Sequence, residues 1–296
     1  PSPLSLSDFP TGFAYIAAAL KKAGHEVIGL NPNNLPGFPS AKIMLYTVLS
    51  QELARHKPDL VGLGGLAPDY AFLSDAISMI RTLSPTVKIV LGGKIVTNDA
   101  EDVYKLLQPD YAVIGEGEKA IVDIAEGRCK PGIIQAEYTK DLDTLPFPDY
   151  EPFNITEMLD KYSMATRLLY RYSRVDARPF VIVASRSCPF NCSFCIHGHR
   201  NEPYRARSIA SILEEIRVTY NKYKYNVLTI DDELFAINKK KMVDFCNGVL
   251  EGKEKYGWDF DWMFQTHASA KLDLETLQLA KRAGCFLFSY GLESAS

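Results

Sequence analysis

The sequence predicts an α/β protein in two parts, a doubly wound parallel sheet followed by about half of a β/α barrel. Three observations predict it. Helical and strand patterns alternate from residue 11 to residue 125, the order that builds a parallel sheet with helices on both faces. The strand segments are near-continuously apolar, as burial on two sides requires. The alternation then stops, and resumes from residue 179 as strand–helix steps whose strands end in acidic residues.

In the first part, residues 11–23 form an Ala-rich helix ended by Gly24, and residues 25–30 a strand. Helices are expected over 41–56, 69–83, 98–107 and 118–125, and strands over 59–65, 87–93 and 110–115. Residues 127–178 read as a connector. Its stretch from Asp141 to Tyr150 is rich in Pro and Asp, which excludes a helix or a central strand there. Arg167, Arg171, Arg174 and Arg178 follow, interleaved with Tyr170 and Tyr172, and read as a solvated hairpin face or as a contact for an anionic ligand.

In the second part, residues 179–184 form a short buried strand. Ser208 is placed to cap a helix running to about residue 223. Strands over 226–230, 259–266 and 285–291 alternate with helices over 239–255 and 274–283. The expected divisions are therefore residues 1–126, 127–178 and 179–296. Cys246 and Cys285 read as small core residues, and Lys239-Lys240-Lys241 as a solvated first helical turn.

Composition bounds the function. A chain of 296 residues, 47% hydrophobic and 23% charged, holds two domains with proper cores. A net charge of -3 argues against a broad nucleic-acid or anionic-membrane surface. No apolar run approaches the roughly 20 residues that span a bilayer. Six cysteines, three of them in one loop, suit a reducing cytoplasm better than a secreted disulfide scaffold. The sequence starts on a Pro/Ser stretch without Met and stops just after a strand, so it reads as an internal fragment of a longer protein.

Two features carry chemistry. Glycines fall where the first strands end, at Gly62-Leu63-Gly64-Gly65, Gly92-Gly93 and Gly115-Glu116-Gly117. Each is either a tight turn or a place where a flat ligand meets the backbone; three on one edge favour a ligand. The second feature is Cys188-Pro189-Phe190-Asn191-Cys192-Ser193-Phe194-Cys195, on a loop leaving a strand. Three thiolates hold three irons of a 4Fe–4S cluster and leave the fourth open to a ligand. The other readings are zinc completed by His197 or His199 beside Cys192 and Cys195, or a chance cluster of buried thiols.

Together these residues resemble a known family. The run from Phe13 to Leu20, then Ala23-Gly24-His25-Glu26-Val27, Pro58 to Gly62, Lys88 to Gly93 and Ile114 to Glu118 are similar to the Rossmann-like cobalamin-binding domain of one branch of the radical S-adenosylmethionine enzymes. The cysteine triplet, Tyr204-Arg205-Ala206-Arg207-Ser208, Asp231-Asp232-Glu233-Leu234-Phe235 and Gly291-Leu292-Glu293-Ser294 resemble that branch's catalytic domain.

The resemblance implies a cluster on Cys188, Cys192 and Cys195, and S-adenosylmethionine contacts from Phe194, Arg207, Asp231, Asp232 and Glu293. It also implies a cobalamin cradle from Gly64, Gly65, Leu66, Gly92, Gly93, Gly115, Glu116 and Gly117. Cobalamin is expected without histidine ligation, because Phe9 stands where many such domains carry the ligating His, and a phenyl ring donates to no metal. The strand expected before Ser7 is also missing. At the end of the third barrel strand, where relatives often carry Arg, this chain has Gln265-Thr266-His267.

The activity so implied is one-electron cleavage of S-adenosylmethionine to a 5′-deoxyadenosyl radical, with methyl transfer from cobalamin to an unactivated carbon. Ring rearrangement, cyclisation and methylthiolation are rivals within the class, and a non-catalytic metal- or cobalamin-binding sensor or carrier is the rival outside it. The expected partners are a small-molecule substrate and an electron donor, with neither nucleic acid nor membrane.

Overall fold

The computed structural model describes residues 10–32, 37–162, 174–195, 202–270, 272–291 and 293. They divide into two compact units: Gly12–Thr139 with Pro148–Phe153, and Lys140–Phe147 with Asn154–Ser296.

In the first unit, four parallel strands lie side by side in chain order: β1 (Leu60–Gly64), β2 (Lys88–Gly92), β3 (Tyr111–Ile114) and β4 (Gly132–Gln135). Alternate residues of these strands face opposite sides of the sheet. Ile89 and Leu91 join the core beneath α2 (Ala41–His56), α3 (Tyr70–Leu83), α4 (Lys94–Asn98) and α5 (Ala100–Leu107). Val90, Tyr111 and Val113 join a second core, against which Ile16 and Leu20 of α1 (Thr11–Lys22) and the buried face of α6 (Gly117–Ala125) pack. Two faces of helices on one parallel sheet is the doubly wound plan.

Three elements differ from expectation. Residues 25–30 alternate in burial and pair with no strand among the described residues. The helix expected over 98–107 begins at Ala100, and a separate short helix, Lys94–Asn98, precedes it. β4 lies inside the stretch expected to lose the alternation, paired to β3 from Tyr111↔Gly132 to Ile114↔Gln135. With only four residues, it offers too short a period for the sequence to declare it.

The second unit holds another four-stranded parallel sheet, ordered β10 (Cys285–Ser289), β9 (Asp261–Gln265), β8 (Val227–Ile230) and β5 (Pro179–Ile182). Helices α7 (Ile209–Tyr223), α8 (Lys239–Tyr256) and α9 (Leu274–Arg282) connect them. The core is largely aromatic: Phe180, Tyr225, Phe235, Phe245, Phe260, Trp262 and Phe264 are fully buried. Phe180 stacks on Tyr225 at 4.7 Å between centroids, so one face of β5 is sealed before its chain turns out towards the cysteines. Among the described residues no helix is long and apolar enough to cross a membrane.

Candidate functional site

The cysteine loop leaves β5 through a two-stranded antiparallel ribbon, β6 (Ser185–Arg186) with β7 (Arg205–Ala206). Its approach is tightly held. Arg207 N–H donates to Ala184 O at 2.9 Å, and its guanidinium donates to Val183 O at 3.1 Å. Ser187, in the left-handed region at φ 65°, donates through its hydroxyl to Glu202 O at 2.9 Å. Cys188 follows.

The three cysteines are free and partly buried. Burial pushes the Cys188 thiol above its ordinary value, and Glu233, Cys192 and Cys195 add like-charge repulsion, partly offset by a hydrogen bond from the Phe190 backbone. A bound cation would offset both the burial and the like charges at Cys188. Among the described residues no three His, Cys, Asp or Glu side chains converge as ligands of one metal ion. Three partly buried thiols on one loop are soft donors that suit iron, and in a 4Fe–4S cluster each thiolate binds its own iron. His197 and His199 lie outside the described residues.

The expected S-adenosylmethionine contacts fall into two groups. Phe194 is 69% exposed, and Asp231 and Glu293 are exposed beyond the ends of β8 and β10. Arg207 and Asp232 are instead buried, at 6% and 5% exposure. Arg207 is engaged inside the protein: it pairs with the fully buried Glu215, donates to Ser211 Oγ at 2.9 Å and lies 5.3 Å from the centre of the Phe147 ring. Asp232 accepts from Ala184 N–H at 2.7 Å and from Ser185 Oγ at 2.6 Å. Burial pushes its carboxyl up, against the pull of Lys241, while burial pushes Lys241 down, against the pull of Asp232.

Lys241 corrects the expectation of a solvated Lys239-Lys240-Lys241 turn. Lys239 and Lys240 are exposed, but Lys241 reaches inward, its Nζ 4.7 Å from the centre of the Phe235 ring and 3.5 Å from the Tyr204 hydroxyl. The signal was present: Lys241 stands four residues before the fully buried Phe245, on the same helical face. Ser185 carried no such signal. His267 stacks on Phe190 of the cysteine loop, 4.2 Å between centroids. Its Nδ1 accepts from Ser269 N–H at 3.2 Å, which leaves the proton on Nε2 in the neutral ring.

The arginine stretch is in part outside the described residues. Arg174 is not a solvated face, since it donates to Asp259 and Asp261 at the entry to β9. Arg178 donates to Tyr223 O. Asp143 of the connector accepts from Ser208 N–H at 3.1 Å and so reinforces the cap of α7. Cys246 is fully buried in α8, as expected of a core residue.

In the first unit, the predicted cradle residues share one edge. Gly64 and Gly92 are register partners at the ends of β1 and β2, and a Cβ at Gly92 would meet nothing within 4 Å. Leu66 is 56% exposed beside them. Gly93 also serves packing, because a Cβ there would stand 2.8 Å from Gly65 O; these two backbones lie directly on each other. Gly115 N–H donates to Thr97 Oγ1, Glu116 accepts from Thr139 N–H, and Gly117 lies against Ile16. An open backbone edge with an exposed apolar side chain fits a large flat ligand. Phe9 lies outside the described residues.

Residues 8–125 match the family model for a B12-binding domain. An uncharacterized methyltransferase of Pyrococcus horikoshii is 25% identical over 97% of this chain and 61% of its own. The anaerobic magnesium-protoporphyrin IX monomethyl ester cyclase of Cereibacter sphaeroides is 24% identical over 97% of this chain and 47% of its own. The chain is similar to cobalamin-binding radical S-adenosylmethionine enzymes along almost its whole length. It thus spans about half to three-fifths of the length of these relatives. The radical S-adenosylmethionine methyltransferase TsrM of Kitasatospora setae, solved with tryptophan and an S-adenosylmethionine analogue, shares the fold, with a TM-score of 0.69 and 19% identity over 99% of this chain and 58% of that one. TsrM has also been solved with cobalamin and a [4Fe-4S] cluster.

Proposed function

We propose that the protein transfers a methyl group to an unactivated carbon of a small molecule, with S-adenosylmethionine as radical source and cobalamin as methyl carrier. One observation carries the reading: a single chain joins a B12-binding domain to a parallel sheet whose strand ends present three cysteines beside exposed acids. When bound, the cluster supplies the electron that cleaves the S–C5′ bond, and cobalamin supplies the methyl group.

The chain's own residues bind and orient. Cys188, Cys192 and Cys195 hold three irons of the cluster. The exposed carboxylates of Asp231 and Glu293 take the ammonium group and ribose hydroxyls of S-adenosylmethionine, and the exposed Phe194 ring packs on its adenine. The edge of Gly64, Leu66, Gly92 and Gly115 holds cobalamin, without a histidine ligand in this reading. An electron donor is the required partner, and a reducing cytoplasm suits the chemistry. Cyclisation is the second reading, favoured by the likeness to the ester cyclase along 97% of this chain.

The test is anaerobic reconstitution of the full-length protein with iron, sulfide and cobalamin, followed by S-adenosylmethionine and a strong reductant. Formation of both 5′-deoxyadenosine and S-adenosylhomocysteine supports methyl transfer, because one S-adenosylmethionine supplies the radical and another recharges cobalamin. Deoxyadenosine alone favours cyclisation or rearrangement. Neither product, from protein with a verified cluster, favours a sensor or carrier.

A further inference from the structure

Adjacent acids at the end of β8 face opposite fates. Asp231 is exposed, while Asp232 is buried with both carboxylate oxygens engaged. Its two donors, Ala184 and Ser185, are the residues through which β5 passes into the cysteine loop. Ser185 Oγ also stands 3.3 Å from Leu234 O, and Tyr204 OH stands 3.5 Å from that same carbonyl. Lys241 comes in from α8 over Phe235 to reach Tyr204. A buried carboxylate with both oxygens on fixed donors is costly to disturb, so the backbone it grips is held to one position.

We propose that Asp232 is a positioning residue that clamps Ala184 and Ser185 and so fixes Cys188, while ligand recognition at this strand end falls to Asp231. The division of labour rests on the proposed function for Asp231 only; the clamp is a property of the protein without cofactors. Asp232 touches no ligand in this arrangement.

The experiment compares Asp232→Asn, Ser185→Ala and Asp231→Asn, each checked for a cooperative melting transition. In the cofactor-free chain, the rate of Cys188 alkylation by iodoacetamide is followed by peptide mass spectrometry. After reconstitution, the electron paramagnetic resonance signal of the reduced cluster is recorded with and without S-adenosylmethionine. Asp232→Asn and Ser185→Ala are expected to speed Cys188 alkylation roughly tenfold, the loss of one buried charge-assisted hydrogen bond. Asp231→Asn is expected to leave alkylation unchanged and to abolish the spectral response to S-adenosylmethionine.

Parent-like alkylation in Asp232→Asn, with a lost spectral response, overturns the proposal and makes Asp232 a ligand contact. Should Asp232→Asn not fold, Ser185→Ala decides, since it keeps the Asp232 carboxylate; parent-like alkylation there also overturns the clamp. A parent protein that takes up no cluster removes the functional reading, yet the alkylation rates still decide the clamp.

Discussion

The two parallel sheets present edges built in opposite ways. The edge of the first is built from backbone: Gly92 leaves space, and Gly93 and Gly65 pack main chain on main chain. The edge of the second is built from side chains, with three thiols, exposed acids and a buried clamp behind them. A backbone edge suits a broad ligand gripped by shape, and a side-chain edge suits a compact site where charge and donor chemistry decide. The first edge should therefore fail through added atoms and the second through removed ones.

Removal should act most severely at the second edge. Cys192→Ala should drop iron and acid-labile sulfide from about four each per chain to background after anaerobic reconstitution. Cleavage of S-adenosylmethionine should vanish with them. Cobalamin binding, read by its visible spectrum after gel filtration, should persist; its loss would undo the division between backbone and side-chain edges. The converse test is Gly93→Ala. At φ 85° and ψ -175°, Gly93 occupies a region essentially closed to other residues, and the added methyl would also press on Gly65. A loss of about 2–3 kcal/mol by urea denaturation of the first unit is expected. Cobalamin retention should weaken while the cluster is kept.

The two edges were also unequally legible in the sequence. Cys188, Cys192 and Cys195 announce themselves by spacing, and the glycine turns by position after apolar strands. What the acids do could not be read, because Asp231 and Asp232 are identical in type and differ only in which way the strand end turns them. Lys241 was hidden by two exposed neighbours of its own kind, and β4 by its brevity. Residues 25–30 keep a strand-like alternation of burial and pair with no strand among the described residues. Local pattern specifies which side of a segment is buried; pairing depends on what stands beside it.

The opposite end of the first sheet gives a control of intermediate size. Asp110, just before β3, accepts from Ile89 N–H at 2.8 Å and from Arg81 at 2.8 Å. Burial would raise its carboxyl, but these donors and the charges of Arg81 and Lys88 win and hold it below its ordinary value of 3.8. A depressed folded-state value means stability that is present above the unfolded pKa and lost as pH falls through about 4 and below. Asp110→Asn should therefore cost about 1.5–3 kcal/mol at neutral pH and flatten the acid limb of the stability curve. Neither ligand edge should change, because Asp110 stands at the far ends of the strands.

A milder change, next to the clamp, probes how far the side-chain edge extends. Ser208 caps α7 through its hydroxyl, which accepts from Ser211 N–H at 3.1 Å, directly after the buried Arg207. Ser208→Ala should cost about 1 kcal/mol in a melting experiment. Asp143 still accepts from the Ser208 backbone, so the helix start stays anchored. If the side-chain edge depends on the residues that grip Val183 to Ser185, this loss should leave iron content and Cys188 alkylation at parent values, because the cap lies downstream of that grip. A fall in iron content from so small a change would show instead that the whole strand end moves as one piece, and that the clamp is shared with the helix behind it.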